Sequence, residues 1–143
     1  MGYLSNRLFK ILLALFLLML GGFIYYAFRA DYLIMFDWAE YLGLEEYIIN
    51  MRNSLSDIML PYFILYCLPN ALWIVSYMLV VDSIVSIDNY KLFWALSLPI
   101  IAIIFEILQI FTIILGTFDV LDLVCFIIPS VIYIIYYRYK YKL

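Results

Sequence analysis

Residues 92–115 read LFWALSLPIIAIIFEILQIFTIIL, 24 positions whose one charge is Glu106. As an α-helix rising 1.5 Å per residue this run would be about 36 Å long, more than the hydrocarbon thickness of about 30 Å. Working outward, three more apolar runs appear, from Leu8 to Phe28, from Ile58 to Val81 and from Leu123 to Tyr137. Each can cross a bilayer once its flanking residues are counted. A lipid-exposed backbone must satisfy its own hydrogen bonds, and no barrel-type alternation is visible, so the segments are read as helices. The expectation is an all-α integral membrane protein with four transmembrane helices in a single transmembrane domain, at about 8–28, 70–87, 92–115 and 120–138. Residues 29–69 form its large outer loop.

Composition supports this. The 143-residue chain is 69% hydrophobic and 13% charged, against roughly 45–50% and about 25% in soluble domains. No histidine is present, which removes the commonest general base and metal ligand; neither a metal nor a cofactor is expected. The net charge of −3 gives no reason to expect nucleic acid. The first segment has a signal-peptide-like basic start at Arg7 and Lys10, but its uncharged stretch from Ile11 to Phe28 exceeds a usual signal core and no A-x-A-like site follows. It is read as a retained anchor.

With alternating crossings, Arg7, Lys10, Lys91, Arg138, Lys140 and Lys142 fall on one side and Arg29 and Arg52 on the other. The positive-inside rule then places both termini in the cytoplasm. The tail residues Tyr133, Tyr136, Tyr137, Arg138, Tyr139, Lys140 and Tyr141 read as an inner-interface belt. In the outer loop, Tyr41, Leu44, Ile48 and Met51 recur at helical spacing, which predicts one short amphipathic helix capping the bundle or resting on the membrane. Its acidic face also suits a protein partner. Pro61 and Pro69 divide the second run, so the true crossing is expected to begin at Asn70 as helix cap, with Ile58 to Leu68 as an interfacial or re-entrant element.

Glu106 and Gln109, three residues apart, share one helix face that Thr112 extends. Counted back from Leu115, they lie about 14 and 9 Å deep. A carboxylate at that depth should face the bundle interior or a wet cavity. Asp119 suits an N-cap with Asp122 at the third helical position. These readings converge on an outward-opening pocket of Asn70, Glu106, Gln109, Asp119 and Asp122, rimmed by Trp73 and Phe118. Cys67 and Cys125 both fall toward the outer side, where a disulfide is permitted, but cysteines in apolar segments are more often packing residues. Gly21 and Gly22 permit close helix approach, and Ser76 and Ser83 can bond within their own helix.

The string Phe105-Glu106-Ile107-Leu108-Gln109, followed by Gly116-Thr117-Phe118-Asp119-Val120-Leu121-Asp122, resembles the E-x-x-Q and D-x-x-D signature of VanZ-like membrane proteins. Leu68-Pro69-Asn70-Ala71-Leu72-Trp73 is similar to a helix entry found in some relatives. The resemblance runs from Leu68 to Pro129. It implies a small polytopic protein of the bacterial cytoplasmic membrane and cell envelope, in one branch associated with reduced susceptibility to the glycopeptide antibiotic teicoplanin.

The leading functional expectation is a protein that binds a membrane lipid or lipid-linked envelope precursor in the outer pocket. One alternative is an intramembrane enzyme with Glu106 as acid or base, although no complete catalytic motif is present. A channel or transport subunit and a structural subunit of a membrane complex are the others.

Overall fold

The computed structural model describes residues 2–31, 33–86, 88–114 and 117–141. Lys142, counted among the basic flank, and Leu115 and Gly116, in the expected third helix and the turn after it, lie outside them, as does Ile87, the expected end of the second crossing. Among the described residues six α-helices follow in order: α1 Gly2–Phe28, α2 Ile34–Tyr41, α3 Glu45–Ser54, α4 Leu68–Ile84, α5 Asp88–Ile110 and α6 Val120–Tyr141. Among the described residues, four helical stretches are long and apolar enough to cross a membrane, Asn6–Phe28, Phe63–Ile84, Tyr90–Ile110 and Val120–Lys140. Large side chains on their outer faces, such as Phe9, Phe16, Met19 and Ile132, stay more than half exposed, a surface that suits lipid and would be adverse in water.

Helix α4 is central, packing on α1, α5 and α6. Its buried Ile74, Met78 and Val81 meet Ala95 of α5 and Phe126, Tyr133 and Tyr137 of α6. Two of the tyrosines expected in an interfacial belt therefore belong to the core. Tyr133 and Tyr137 are four apart on the inward face of α6, while Tyr136 and Tyr139 point outward. Polar links reinforce the apolar seams. Ser76 donates across to the Ala14 carbonyl of α1 at 2.8 Å rather than within its own helix, whereas Ser83 does bond within α4, to Leu79 at 2.7 Å. The Tyr77 hydroxyl lies 2.8 Å from the Trp94 carbonyl and 2.7 Å from Ser97 Oγ on α5. Such bonds substitute for the hydrophobic drive that helices lack in lipid.

Pro69 does not begin the crossing. The chain is already helical from Phe63, with Phe63–Cys67 wound as a π-helical turn that runs directly into α4. A proline ring collides with the carbonyl four residues earlier and supplies no N–H; a wider π turn accommodates both defects. Of the stretch expected as a separate interfacial or re-entrant element, Phe63 to Leu68 is therefore continuous with the helix. Asn70 accordingly lies inside the helix, not at its cap.

The outer-loop reading also needs correction. One amphipathic helix through Tyr41 and Met51 is replaced by two, because Gly43 adopts φ 70°. Leu44 N–H bonds to the Ala39 carbonyl at 2.9 Å and Gly43 N–H to Glu40 at 2.8 Å, the paired bonds of a glycine-terminated helix. Tyr41 is left almost wholly exposed. Arg52 of α3 turns back to donate to the Tyr26 and Arg29 carbonyls at 3.0 and 2.8 Å, closing the C-terminal end of α1.

Helix α5 stops at Ile110, five residues earlier than expected. Thr112 takes φ 55°, Ile113 N–H bonds back to Leu108 at 3.2 Å and Thr112 N–H to Gln109 at 3.0 Å. The same terminating motif is here built on a β-branched residue. Thr112 consequently leaves the Glu106 stripe and is exposed.

Asp82, at the opposite end of the bundle, has a role that the apolar pattern around it does not signal. Its buried carboxylate pairs with Lys10 of α1, and Lys140 Nζ of α6 lies 3.8 Å away. Beside it Arg7 Nε donates to the Ser83 carbonyl at 2.7 Å.

Candidate functional site

The early end of α5 leaves Glu106 only four residues, about 6 Å, from the helix terminus. It is nevertheless buried, because α6 begins beside it. The backbone N–H of Asp119 donates to Glu106 Oε2 at 3.3 Å. Asp119 also acts as the expected cap, its Oδ1 accepting the Leu121 N–H at 2.8 Å, and its Oδ2 accepts the Tyr62 hydroxyl at 2.7 Å. One residue thus fastens the end of α5, the start of α6 and the approach to α4. Asp122 is the third residue of α6, as expected, and its Oδ1 accepts Asn70 Nδ2 at 2.7 Å. Asn70 Nδ2 also reaches the Tyr66 carbonyl at 3.3 Å.

Cys67 and Cys125 are joined as a disulfide, with Cα atoms 5.8 Å apart, so the expectation of two packing cysteines is corrected. The bridge ties the residue after Tyr66 to the residue one turn beyond Asp122. It holds the tyrosine-bearing turn against the carboxylate-bearing start of α6.

Between these parts is a cavity of about 430 Å³ lined by Arg29, Tyr62, Tyr66, Glu106, Gln109, Asp119 and Asp122, together with Ala30, Leu33 and Thr117. Four of the five polar residues expected to converge line it directly, and Asn70 supports it through Asp122. Trp73 and Phe118 do not line it. Trp73 is packed between α1 and α4, its Nε1 donating to the Leu18 carbonyl at 3.3 Å and its ring 5.6 Å from that of Tyr25.

No family model, curated protein or solved structure matches this chain. Its chemistry is therefore read from the cavity itself. The pocket expected from sequence does not include Arg29, Tyr62 or Tyr66. The available signal was the scarcity of basic residues on that side: Arg29 and Arg52 stand alone among many acids. Arg52 closes α1, while Arg29 enters the cavity. Its guanidinium lies 4.6 Å from the centre of the Tyr66 ring and 5.2 Å from that of Tyr25. Stacking of this kind holds the planar group while leaving its N–H edge for other partners. Gln109 Oε1 is a buried acceptor with no hydrogen-bond donor among the described residues. Among them there is also no group of three or more acidic or cysteine side chains placed to hold a metal ion.

The bond to Asp119 shifts one titration that can be followed. Donating to that carboxylate holds the Tyr62 hydroxyl above its ordinary value near 10, with smaller contributions from burial and from the neighbouring charges. The folded state keeps this proton more tightly than the unfolded chain, so the associated stability is intact below the unfolded value and is lost as pH rises through the folded one. A difference titration of phenolate absorbance between the wild type and Tyr62→Phe should place Tyr62 above the ordinary tyrosine range. Asp119→Asn should bring it down; an ordinary Tyr62 titration in the wild type would contradict the observed bond.

Proposed function

We propose that this chain is a VanZ-like multi-pass protein of the bacterial cytoplasmic membrane, with both termini inside, and that it binds a lipid or lipid-linked head group in an outward-facing cavity. The observation carrying the proposal is the meeting of Glu106, Gln109, Asp119 and Asp122 with Arg29 in one polar hollow at the end of an apolar bundle. An ionisable side chain buried within a spanning helix, as Glu106 is, is costly unless it serves a ligand or a structural link. Here Asp119 accounts for itself structurally, but the orphan Gln109 acceptor and the stacked Arg29 do not. The E-x-x-Q and D-x-x-D strings that suggest the family supply four of the lining residues.

Two features support the orientation. Arg7, Lys10, Lys91, Arg138 and Lys140 belong to the end away from the cavity, in keeping with the positive-inside rule. The Cys67–Cys125 bridge belongs to the cavity end, and disulfides persist on the oxidising side of a membrane. A link to glycopeptide resistance rests on the family resemblance alone.

Lipid extraction tests the binding reading. Protein purified in mild detergent should retain one lipid class near one per chain, and Glu106→Gln or Asp119→Asn should lose most of it. Co-purified lipids identical to wild type in both variants would overturn the assignment.

A further inference from the structure

Resting on the binding reading above, we propose that the cavity selects a phosphate-bearing amine, a zwitterionic head group of the phosphoethanolamine type, with Arg29 taking the phosphate and the carboxylates taking the ammonium. The two halves of the site differ in chemistry. Toward α1, Arg29 is held by the Tyr25 and Tyr66 rings and, among the described residues, none of its N–H groups is spent on a hydrogen bond or an ion pair within 4 Å. A planar guanidinium fixed by stacking with its donors unspent is suited to pair two oxygens of a phosphate at once. Toward α5 and α6, Glu106, Asp119 and Asp122 each accept one or two donors from the protein, and an ionised carboxylate has about four lone-pair sites. Their remaining lone pairs make acceptors predominate on that half of the hollow. An ammonium offers three donors and no acceptor, which matches this wall. A plain anion would leave the acidic wall unpaired and repelled, and a plain amine would leave Arg29 unused. A ligand carrying both charges satisfies both halves.

The full chain in a maltoside detergent can be titrated by calorimetry with dihexanoyl phosphatidylethanolamine, dihexanoyl phosphatidylglycerol and free phosphoethanolamine. The phosphatidylethanolamine should bind at one per chain, about tenfold or more tighter than the phosphatidylglycerol, the difference expected of one charge-assisted contact. Arg29→Gln should weaken it by about the same factor, and so should Glu106→Gln. If Arg29→Gln does not fold, Arg29→Lys keeps the charge, loses the two-point geometry and should still bind several-fold more weakly. Free phosphoethanolamine binding as tightly as the lipid would support the head-group chemistry and assign it to a soluble ligand; much weaker binding of the free compound would assign it to the lipid. Phosphatidylglycerol binding as tightly as phosphatidylethanolamine, or Arg29 variants binding phosphatidylethanolamine like the wild type, would overturn the proposal. In that case, loss of phosphatidylglycerol binding in Glu106→Gln would leave the broader lipid-binding reading standing. Failure of all three probes, with unchanged co-purified lipids in Glu106→Gln, would remove both.

Discussion

Asp82→Leu is expected to destabilise the bundle by about 3 kcal/mol or more, measured by thermal or denaturant unfolding in detergent, because it strands a buried cation. The Asp82 side chain is 3% exposed and the Lys10 side chain 17%, so water can compensate little when the pair is broken. Lys140, at 3.8 Å, loses the nearby Asp82 charge in the same step. Lys10→Met alone should cost less, since Lys140 still faces the carboxylate. The double variant Asp82→Leu, Lys10→Met should recover much of the loss, because an apolar pair can replace a buried ion pair at little net cost. A loss in the double variant equal to the sum of the two single losses would show that the pair is not coupled. The structural meaning is specific: three helices, α1, α4 and α6, are joined at this end through one carboxylate, which makes it the counterpart of Asp119 at the other end.

The second large effect is expected at Gly21. A Cβ built there would fall 2.5 Å from Trp73 Nε1 and 2.8 Å from Trp73 Cδ1, with the Pro69 carbonyl at 3.3 Å. Helix α1 approaches α4 across this glycine, and the indole fills the gap while bonding to Leu18. Gly21→Val should therefore push the helices apart at a cost of about 1–3 kcal/mol, read from the same unfolding measurement. Gly22→Val is the control, since nothing lies within 4 Å of its Cβ direction, and it should be near neutral. Adding Trp73→Leu to Gly21→Val should relieve part of the strain. Equal behaviour of the Gly21 and Gly22 variants would contradict the described α1–α4 packing.

Much of this architecture is legible in the chain because lipid imposes a simple rule. A helix must be long and apolar, and the four runs announce themselves by length and lack of charge. The start of α6 is legible for a local reason: Asp119 and Asp122 stand at cap and third position, where a helix terminus favours carboxylates. What escapes the pattern is set by tertiary packing. Asp82 looks like the tail of an apolar run until Lys10 and Lys140, distant in sequence, are brought beside it. Trp73 looks like a rim aromatic because its helix begins near the cavity, but its rotation turns it to α1. Pro69 reads as a break, and only the π turn before it shows how a helix can pass through. Gly43 carried a recoverable signal, a glycine after a short periodic run; Thr112 carried none, since a β-branched residue is a poor choice for positive φ. Arg29 could be suspected from the acidity around it, but its stacking on Tyr66 depends on a fold that joins residues far apart in the chain.

The proposal that the cavity faces outward and holds a ligand is tested most directly by the reactivity of a single thiol placed in its wall. Thr117 lines the cavity and is exposed, and the native cysteines are paired, so Thr117→Cys supplies one reporter thiol. In intact cells a membrane-impermeant maleimide should modify it without permeabilisation. The modification should be several-fold slower in native membranes than in lipid-stripped detergent, and Glu106→Gln should abolish that protection. Labelling that requires permeabilised cells would contradict the orientation; one rate in membranes, in stripped detergent and in the Glu106→Gln background would contradict a bound head group.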